Sequence, residues 1–233
     1  MLEPNQGKNL AINIGQDVYE RHPVKTHVIK SGDDLIEVVE KYLKPFLQTG
    51  DYIFISEKIV AISQGRSFPI EEIKPSWLAK FLVKFVHKSP YGIGLGSPWT
   101  MQLALGEVGA PRILLGAVVA AVTKPFGIKG MFYRVCGKQA SAIDGPCDYT
   151  LPPYNHYAKL APKDPDGVAK KIKEKFGSEV VIIDANDLGV EILGRSSENV
   201  SIDFAKAVFR DNPLGQTNEQ TPLCIVRRNN TRE

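Results

Sequence analysis

Cysteine is scarce in this chain. Its three cysteines, Cys136, Cys147 and Cys224, are odd in number and far apart, and no C-x-x-C pair occurs. Neither a disulfide framework nor a zinc knuckle is therefore encoded, and a reducing cytoplasm is the expected compartment. Long hydrophobic runs are also missing. The longest, Ile113–Val122, is about half of the ~20 residues that a membrane-spanning helix needs, so it reads as a buried core element and no membrane partner is expected. No basic region followed by an apolar one opens the chain. No signal peptide is expected, and residues 1–23 read as a loose N-terminal arm. Charge of one sign is not in large excess: 29 Lys and Arg against 26 Asp and Glu leave +3, below what a dedicated nucleic-acid binder carries. Small anionic substrates are compatible with that balance. The four histidines, His22, His27, His87 and His156, lack metal-ligand spacing, and no nucleophile elbow is present, which argues against zinc enzymes and serine hydrolases.

What is there suits a globular enzyme. With 233 residues, 43% of them hydrophobic, the chain can bury a core without covalent staples, and one domain is expected over residues 24–233. Periodicity predicts strands at Thr26–Lys30, Tyr52–Ser56, Met131–Cys136, Ala140–Ile143, Glu179–Asp184, Val190–Leu193 and near Leu223–Val226. It predicts helices at Leu35–Leu47, with Ser31 as the N-cap; at Ser76–His87, with a core stripe of Trp77, Phe81, Leu82, Phe85 and Val86; from Pro98 to about Glu107; and at Ile113–Val122. Two more follow at 166–176 and near Ile202–Phe209. Strands and helices alternate without a strict βαβ repeat, so the class is α+β (mixed α/β).

Two aspartates, Asp144 and Asp184, each sit where a predicted strand gives way to a loop, with Asp148, Asn186 and Asp187 nearby. Carboxylates at such positions suit a hard cation bridged to phosphate oxygens, Mg2+ or Mn2+. They equally suit acceptors of backbone N–H groups in tight turns. Gly92–Ser97 carries three glycines ahead of a Ser-Pro helix start, which can approach an anion. It lacks the Gly-Lys-Ser/Thr of a phosphate loop and the last glycine of a dinucleotide fingerprint.

The segments GDDLIEVVEKYL (32–43), GDYIFISEKIVAISQGR (50–66), AIDGPCDYTLPP with KDPDGVA (142–169) and VVIIDANDLG (180–189) resemble, in order and spacing, the coenzyme F-420-0:L-glutamate ligase (γ-glutamyl ligase) family. The likeness is closest to its shorter bacterial members, which share GSPWTMQLAL and TKPFG. The resemblance implies a mixed α/β homodimer that couples GTP hydrolysis to amide formation with L-glutamate, using Mg2+ or Mn2+ and an anionic acceptor. It implies metal ligation by Asp144 and Asp184, with Asp187 beside them. It implies nucleotide contacts from Lys25, Thr26, His27, Val28 and Ile29 and from Ser56, Glu57 and Lys58. Three departures stand out. Ile62 replaces a lysine ahead of the Gly65-Arg66 turn, Asp184-Ala185-Asn186-Asp187-Leu188 replaces Asp-Thr-x-Gly-Arg, and the insertion that follows is largely missing. Lys58 and Arg66 are therefore the expected catalytic cations, with Lys124 and Lys138 as further contacts for phosphate or carboxylate. A folate-type γ-polyglutamate ligase and a non-catalytic nucleotide- or metal-binding module are the alternatives. Self-association is expected through Ile113–Val122 and its flanking aromatics.

Overall fold

Residues 11–24, expected as part of a loose arm, form a β-hairpin. Ala11–Ile14 (β1) and Asp17–Val24 (β2) pair antiparallel across a two-residue turn that begins at Gly15, whose φ is 61°, as a hairpin turn with glycine first requires. Arg21 lies fully buried inside β2. Its guanidinium donates to the carbonyls of Asn9 and Val208 and to the carboxylate of Asp211. A charged residue in a strand interior masks the strand in sequence, and only a partner 190 positions away makes its burial tolerable.

The computed structural model describes residues 2–86, 94–128, 130–186 and 189–229, the Lys138 side chain excepted. The fold is α+β. The chain divides into two units, residues 1–65 with 162–233, and residues 66–161.

In the first unit β2 is followed by an extended segment, where Thr26–Lys30 was expected to be a strand. The backbone of Thr26 is instead tied to Gln220. Helix α1 (Leu35–Tyr42) is capped by Asp34, not Ser31: the Asp34 carboxylate accepts from the Ile36 N–H. Strand β3 (Tyr52–Ser56) runs directly into helix α2 (Glu57–Ser63).

The second unit interrupts the chain here. It contains β4 (Ser67–Pro69), α3 (Trp77–Leu82), α4 (Pro98–Val108), α5 (Ala110–Thr123), α6 (Met131–Cys136), α7 (Lys138–Ser141) and β5 (Tyr157–Lys159), with β4 and β5 paired antiparallel. Met131–Cys136 was expected to be a strand. It is a helix between Gly130 and Gly137, both at positive φ, because a short apolar run cannot be assigned by periodicity alone. Cys136 packs against α5 at Gly116, where a Cβ would lie 2.6 Å from its sulfur. The expected strand at Ala140–Ile143 is likewise absent: α7 ends at Ser141, and only Asp144 bridges to Lys159. Ser97 caps α4 with Pro98 as its first residue, as the Ser-Pro start implies, and the Thr100 hydroxyl in return accepts the Ser97 N–H. The core of this unit includes Leu82, Leu95, Met101, Ile113, Ile143 and Leu160. Of the stripe expected to be core, Leu82 is buried and Val86 partly so, while Trp77, Phe81 and Phe85 are exposed and Ala79 faces inward instead. In α5 only Ile113 and Gly116 are buried, so the apolar run 113–122 is not an internal helix of this unit.

The first unit resumes with α8 (Pro165–Phe176), β6 (Glu179–Asn186), β7 (Gly189–Arg195), α9 (Ile202–Val208) and β8 (Leu223–Asn229). Its sheet has the order β1-β2-β8-β3-β6-β7, with β3 and β6 parallel and the other neighbours antiparallel. The continuous apolar runs of β3 and β6 are covered on both faces, as such runs require. On one face Phe54, Val181 and Ile183 pack with α9, Phe54 stacking on Phe209 at 4.4 Å between ring centroids. On the other, α2 and α8 lie on the sheet and α1 on α8. Gly194 lets the first turn of α8 approach β7, since a Cβ there would sit 2.5 Å from the Pro165 carbonyl carbon.

Glu179 ties the start of β6 to its neighbours. Burial alone would push its carboxyl up. Hydrogen bonds from Lys173 at 2.6 Å, Ser196 and Ser197 outweigh that and hold it below its ordinary value. A carboxylate depressed in the folded state stabilises the fold above its unfolded pKa, about 4.3, and loses that contribution as pH falls through the folded value. Glu179→Gln is expected to lower stability by about 1–2 kcal/mol near neutral pH. Urea unfolding at stepped pH should show the difference from wild type shrinking below about pH 4.

Candidate functional site

Strand β8 is antiparallel to both β2 and β3, and β6 is parallel to β3. Strands β2, β3 and β6 therefore point the same way and reach one edge of the sheet together. Val24 and Ile55 both pair with Leu223, and Ser56 pairs with Ile183. Lys25–Ile29 leave this edge after β2, and Glu57 and Lys58 after β3; β6, expected to give way to a loop at Asp184, runs on to Asn186, so Asp184 lies inside the strand one residue past Ile183. Three segments singled out in the sequence are thus gathered by topology at the carboxyl ends of strands, where open α/β sheets place their ligands.

The segment after β2 is fixed by its backbone. The Thr26 N–H donates to the Gln220 carbonyl at 3.1 Å, the Gln220 side-chain amide donates to the Thr26 carbonyl at 2.5 Å, and the Thr26 hydroxyl donates to the His27 carbonyl. Thr26 and Ile29 are buried, Val28 is half-buried, and Lys25 and His27 are exposed. His27 is held between two side chains, Nδ1 at 3.0 Å from the Tyr42 hydroxyl and Nε2 at 2.9 Å from Asp33. The same Asp33 oxygen accepts the Lys30 N–H at 2.8 Å. That backbone bond, opposed by burial and aided by His27, holds the Asp33 carboxyl below its usual range. Both ring nitrogens of His27 are therefore engaged, and its role on the observed contacts is to shape the loop.

After β3, the Ser56 N–H donates to the Pro222 carbonyl at 2.9 Å, which anchors the turn into α2. Glu57 is buried and Lys58 half-buried. Lys58 and Lys25 make no ion pair among the described residues, so this edge offers two cations. Asp184 is partly exposed and stands opposite Glu191 across the β6–β7 pair, which brings two carboxylate residues together. Asp187 lies outside the described residues. No group of three or more His, Cys, Asp and Glu with metal-holding geometry is found among the described residues.

The remaining candidates belong to the second unit. Asp144 exchanges both backbone hydrogen bonds with Lys159, and its Oδ1 accepts the Gly145 N–H at 2.9 Å. The turn-acceptor role weighed for it is thus present. Paired residues in an antiparallel bridge share a face, so Asp144 has a buried lysine beside it. Lys159 was not singled out in the sequence. The signal was there, a lone cation inside the apolar run YAKLA at 157–161. Arg66, expected to be catalytic, is buried. Its Nε donates to the Ala161 carbonyl and its Nη2 to Glu107 at 2.7 Å, contacts that secure the start and end of this unit. Of the glycine-rich loop, Gly92 and Ile93 lie outside the described residues, Leu95 is core and Ser97 is the α4 cap. Lys124 is exposed.

Because Asp33 accepts from both Lys30 and His27, Asp33→Ala is expected to loosen residues 25–33 while leaving the sheet intact. Native-state hydrogen exchange should accelerate about tenfold or more at Lys30 and its neighbours and stay unchanged at Ile53–Ile55.

Over 173 residues the chain is 27% identical to the uncharacterized protein MJ1361 of Methanocaldococcus jannaschii. That alignment takes in 71% of this chain and 56% of the relative, so the chain spans little more than half of that protein's length. The F420-0:Gamma-glutamyl ligase family matches residues 23–208, a span that runs from the end of β2 through the edge described above, the whole second unit and α9. The chain belongs to the F420-0:Gamma-glutamyl ligase family.

Proposed function

We propose that this protein is a GTP-dependent ligase that joins the amine of L-glutamate to the carboxylate of an anionic, coenzyme F420-0-like acceptor through an acyl phosphate. The observation that carries the reading is the convergence of Lys25–Ile29, Lys58 and Asp184 at one sheet edge in a chain of this family. An acceptor carboxylate oxygen attacks the γ-phosphorus and GDP leaves. The glutamate nitrogen then attacks the acyl carbon, inorganic phosphate leaves with that oxygen, and the amine proton is lost to solvent.

Little acid–base work is needed. The demand is to hold several anions together, and preorganised cations meet it. Lys58, half-buried at the first turn after β3, faces less competition from water than a fully exposed lysine and is assigned to the transferring phosphoryl group. Lys25, exposed after β2, is assigned to the outer phosphates. Arg66 is already committed to Glu107, so Lys58 takes the catalytic role among the two cations expected for it. Asp184, with Glu191 opposite, presents hard carboxylate oxygens of the kind that hold Mg2+ or Mn2+. Such an ion, when bound, screens phosphate charge.

The test uses the full chain with GTP, Mg2+, L-glutamate and F420-0. GDP release dependent on both glutamate and acceptor is expected. Lys58→Met should lower kcat/KM by about a hundredfold or more with an unchanged circular dichroism spectrum. GDP release independent of acceptor, or a Lys58→Met enzyme at the wild-type rate, would contradict the assignment.

A further inference from the structure

Between α9 and β8 the chain runs from Phe209 to Pro222 without a helix or strand, yet this connection is held from several sides. Asn5 donates its side-chain amide to the Pro213 carbonyl at 2.9 Å and to the Thr221 hydroxyl at 2.8 Å, and the Lys8 ammonium donates to the Asp211 carbonyl at 2.7 Å. Within the connection the Thr221 hydroxyl donates to the Leu214 carbonyl and the Asn212 side chain to the Gly215 carbonyl. Gln220 stands out on this frame. Its φ is 59°, and the other described non-glycine residues at positive φ are Asp164 and Asn212, types that tolerate the left-handed region better than glutamine does. Such a conformation persists where its surroundings over-determine it. Here they do so through one residue, Thr26: the Gln220 carbonyl accepts the Thr26 N–H at 3.1 Å, and the Gln220 side-chain amide donates to the Thr26 carbonyl at 2.5 Å. Two residues on, the Pro222 carbonyl accepts the Ser56 N–H at 2.9 Å. Residues 220–222 thus grip the segment after β2 and the last residue of β3 at once, just past the final ladder pairs of Val24 and Ile55 with Leu223.

We propose that Gln220 is a positioning residue for nucleotide binding: its side-chain amide, delivered by a left-handed backbone, sets where Lys25–Ile29 stands relative to the turn that carries Lys58. This rests on the reading of that edge as the nucleotide site. In the sheet β8 lies between β2 and β3, so the segments that leave β2 and β3 are not ladder neighbours. Their separation has to be fixed by something that reaches both, and residues 220–222, entering β8, do so. The contacts of His27 with Tyr42 and Asp33 act differently, because they tie the segment to residues further along the same stretch of chain. The Gly32 N–H does reach α2, at the Ser63 carbonyl, but at the end of that helix away from Lys58. A ligand that spans both segments gains affinity when they are held in place beforehand, since less ordering remains to be done on binding. Both bonds of Gln220 fall on the backbone of Thr26, so its influence belongs to nucleotide affinity and not to the chemical step.

The full chain is compared with Gln220→Gly, which accepts the positive φ without strain and lacks the side-chain donor, and with Gln220→Glu, which keeps the shape and sets an acceptor against the Thr26 carbonyl. Native-state hydrogen exchange without nucleotide reads the tie itself. Exchange at Thr26 is expected to accelerate about fivefold or more in both variants, with Ile53–Ile55 unchanged. Calorimetric titration with GTP and Mg2+ reads the consequence: the Kd for GTP should rise about fivefold in Gln220→Gly and further in Gln220→Glu. In turnover with L-glutamate and F420-0, the KM for GTP should rise in step while kcat and the KM for glutamate stay within about twofold of wild type. Accelerated exchange at Thr26 with an unchanged Kd for GTP would overturn the inference, because the tie would then serve the fold alone. So would unaltered exchange at Thr26, or a loss of kcat with no change in the KM for GTP. A wild-type chain that binds no GTP, with the exchange result intact, would overturn the nucleotide reading of the edge and the inference with it.

Discussion

Parallel pairing of Tyr52–Ser56 with Glu179–Asn186 is the constraint from which the rest of the architecture follows. Two parallel neighbours cannot be joined by a hairpin, so the chain must cross over between them. Here that crossover contains α2, the whole of residues 66–161 and α8. The pairing sends β3 and β6 to the same edge, and the antiparallel β8 between β3 and β2 brings β2 there as well. Strands β2 and β3 leave the sheet there, while β6 runs on to Asn186 in its pairing with β7. The gathering of Lys25, Lys58 and Asp184 is a consequence of these registers taken together.

How much of this was legible in the sequence depends on where each residue's partner lies. YIFIS and EVVIID are continuous apolar runs and read as strands because nothing local competes. The Ser97-Pro98 start of α4 depends on a neighbour three residues away and was equally readable. The β1–β2 hairpin was not, since Arg21 and His22 look incompatible with a sheet until Asp211 and the β8 ladder are known. Thr26–Lys30 has strand composition, yet its carbonyls and amides are claimed by Gln220 from the other end of the chain. The three segments of the candidate site were singled out through a family likeness, and the sheet topology brings them to one edge. Arg66's engagement with Glu107, Lys159 beside Asp144, and the clasp of Tyr42 and Asp33 on His27 came only with coordinates.

The second unit shows why apolar periodicity is a weaker guide to burial than to helicity. Trp77, Phe81 and Phe85 are spaced for a helix and are on one, but the side turned inward is that of Ala79 and Leu82. The same holds for α5, where Ile113 joins the core and Gly116 faces α6 while Val118 and Val122 are exposed. A helix with two apolar sides is ordinarily sandwiched. In this unit the outer side of each helix is exposed, at Trp77, Phe81 and Phe85 on one and at Val118 and Val122 on the other.

The account rests most heavily on the acyl phosphate, because the cations at the sheet edge are assigned to stabilise its formation. An acceptor labelled with 18O in its carboxylate tests this directly when the reaction runs to completion with GTP and L-glutamate. The account predicts one labelled oxygen in the inorganic phosphate for each amide formed, since the attacking carboxylate oxygen departs with the phosphoryl group. Unlabelled phosphate accompanying a full yield of amide would contradict it.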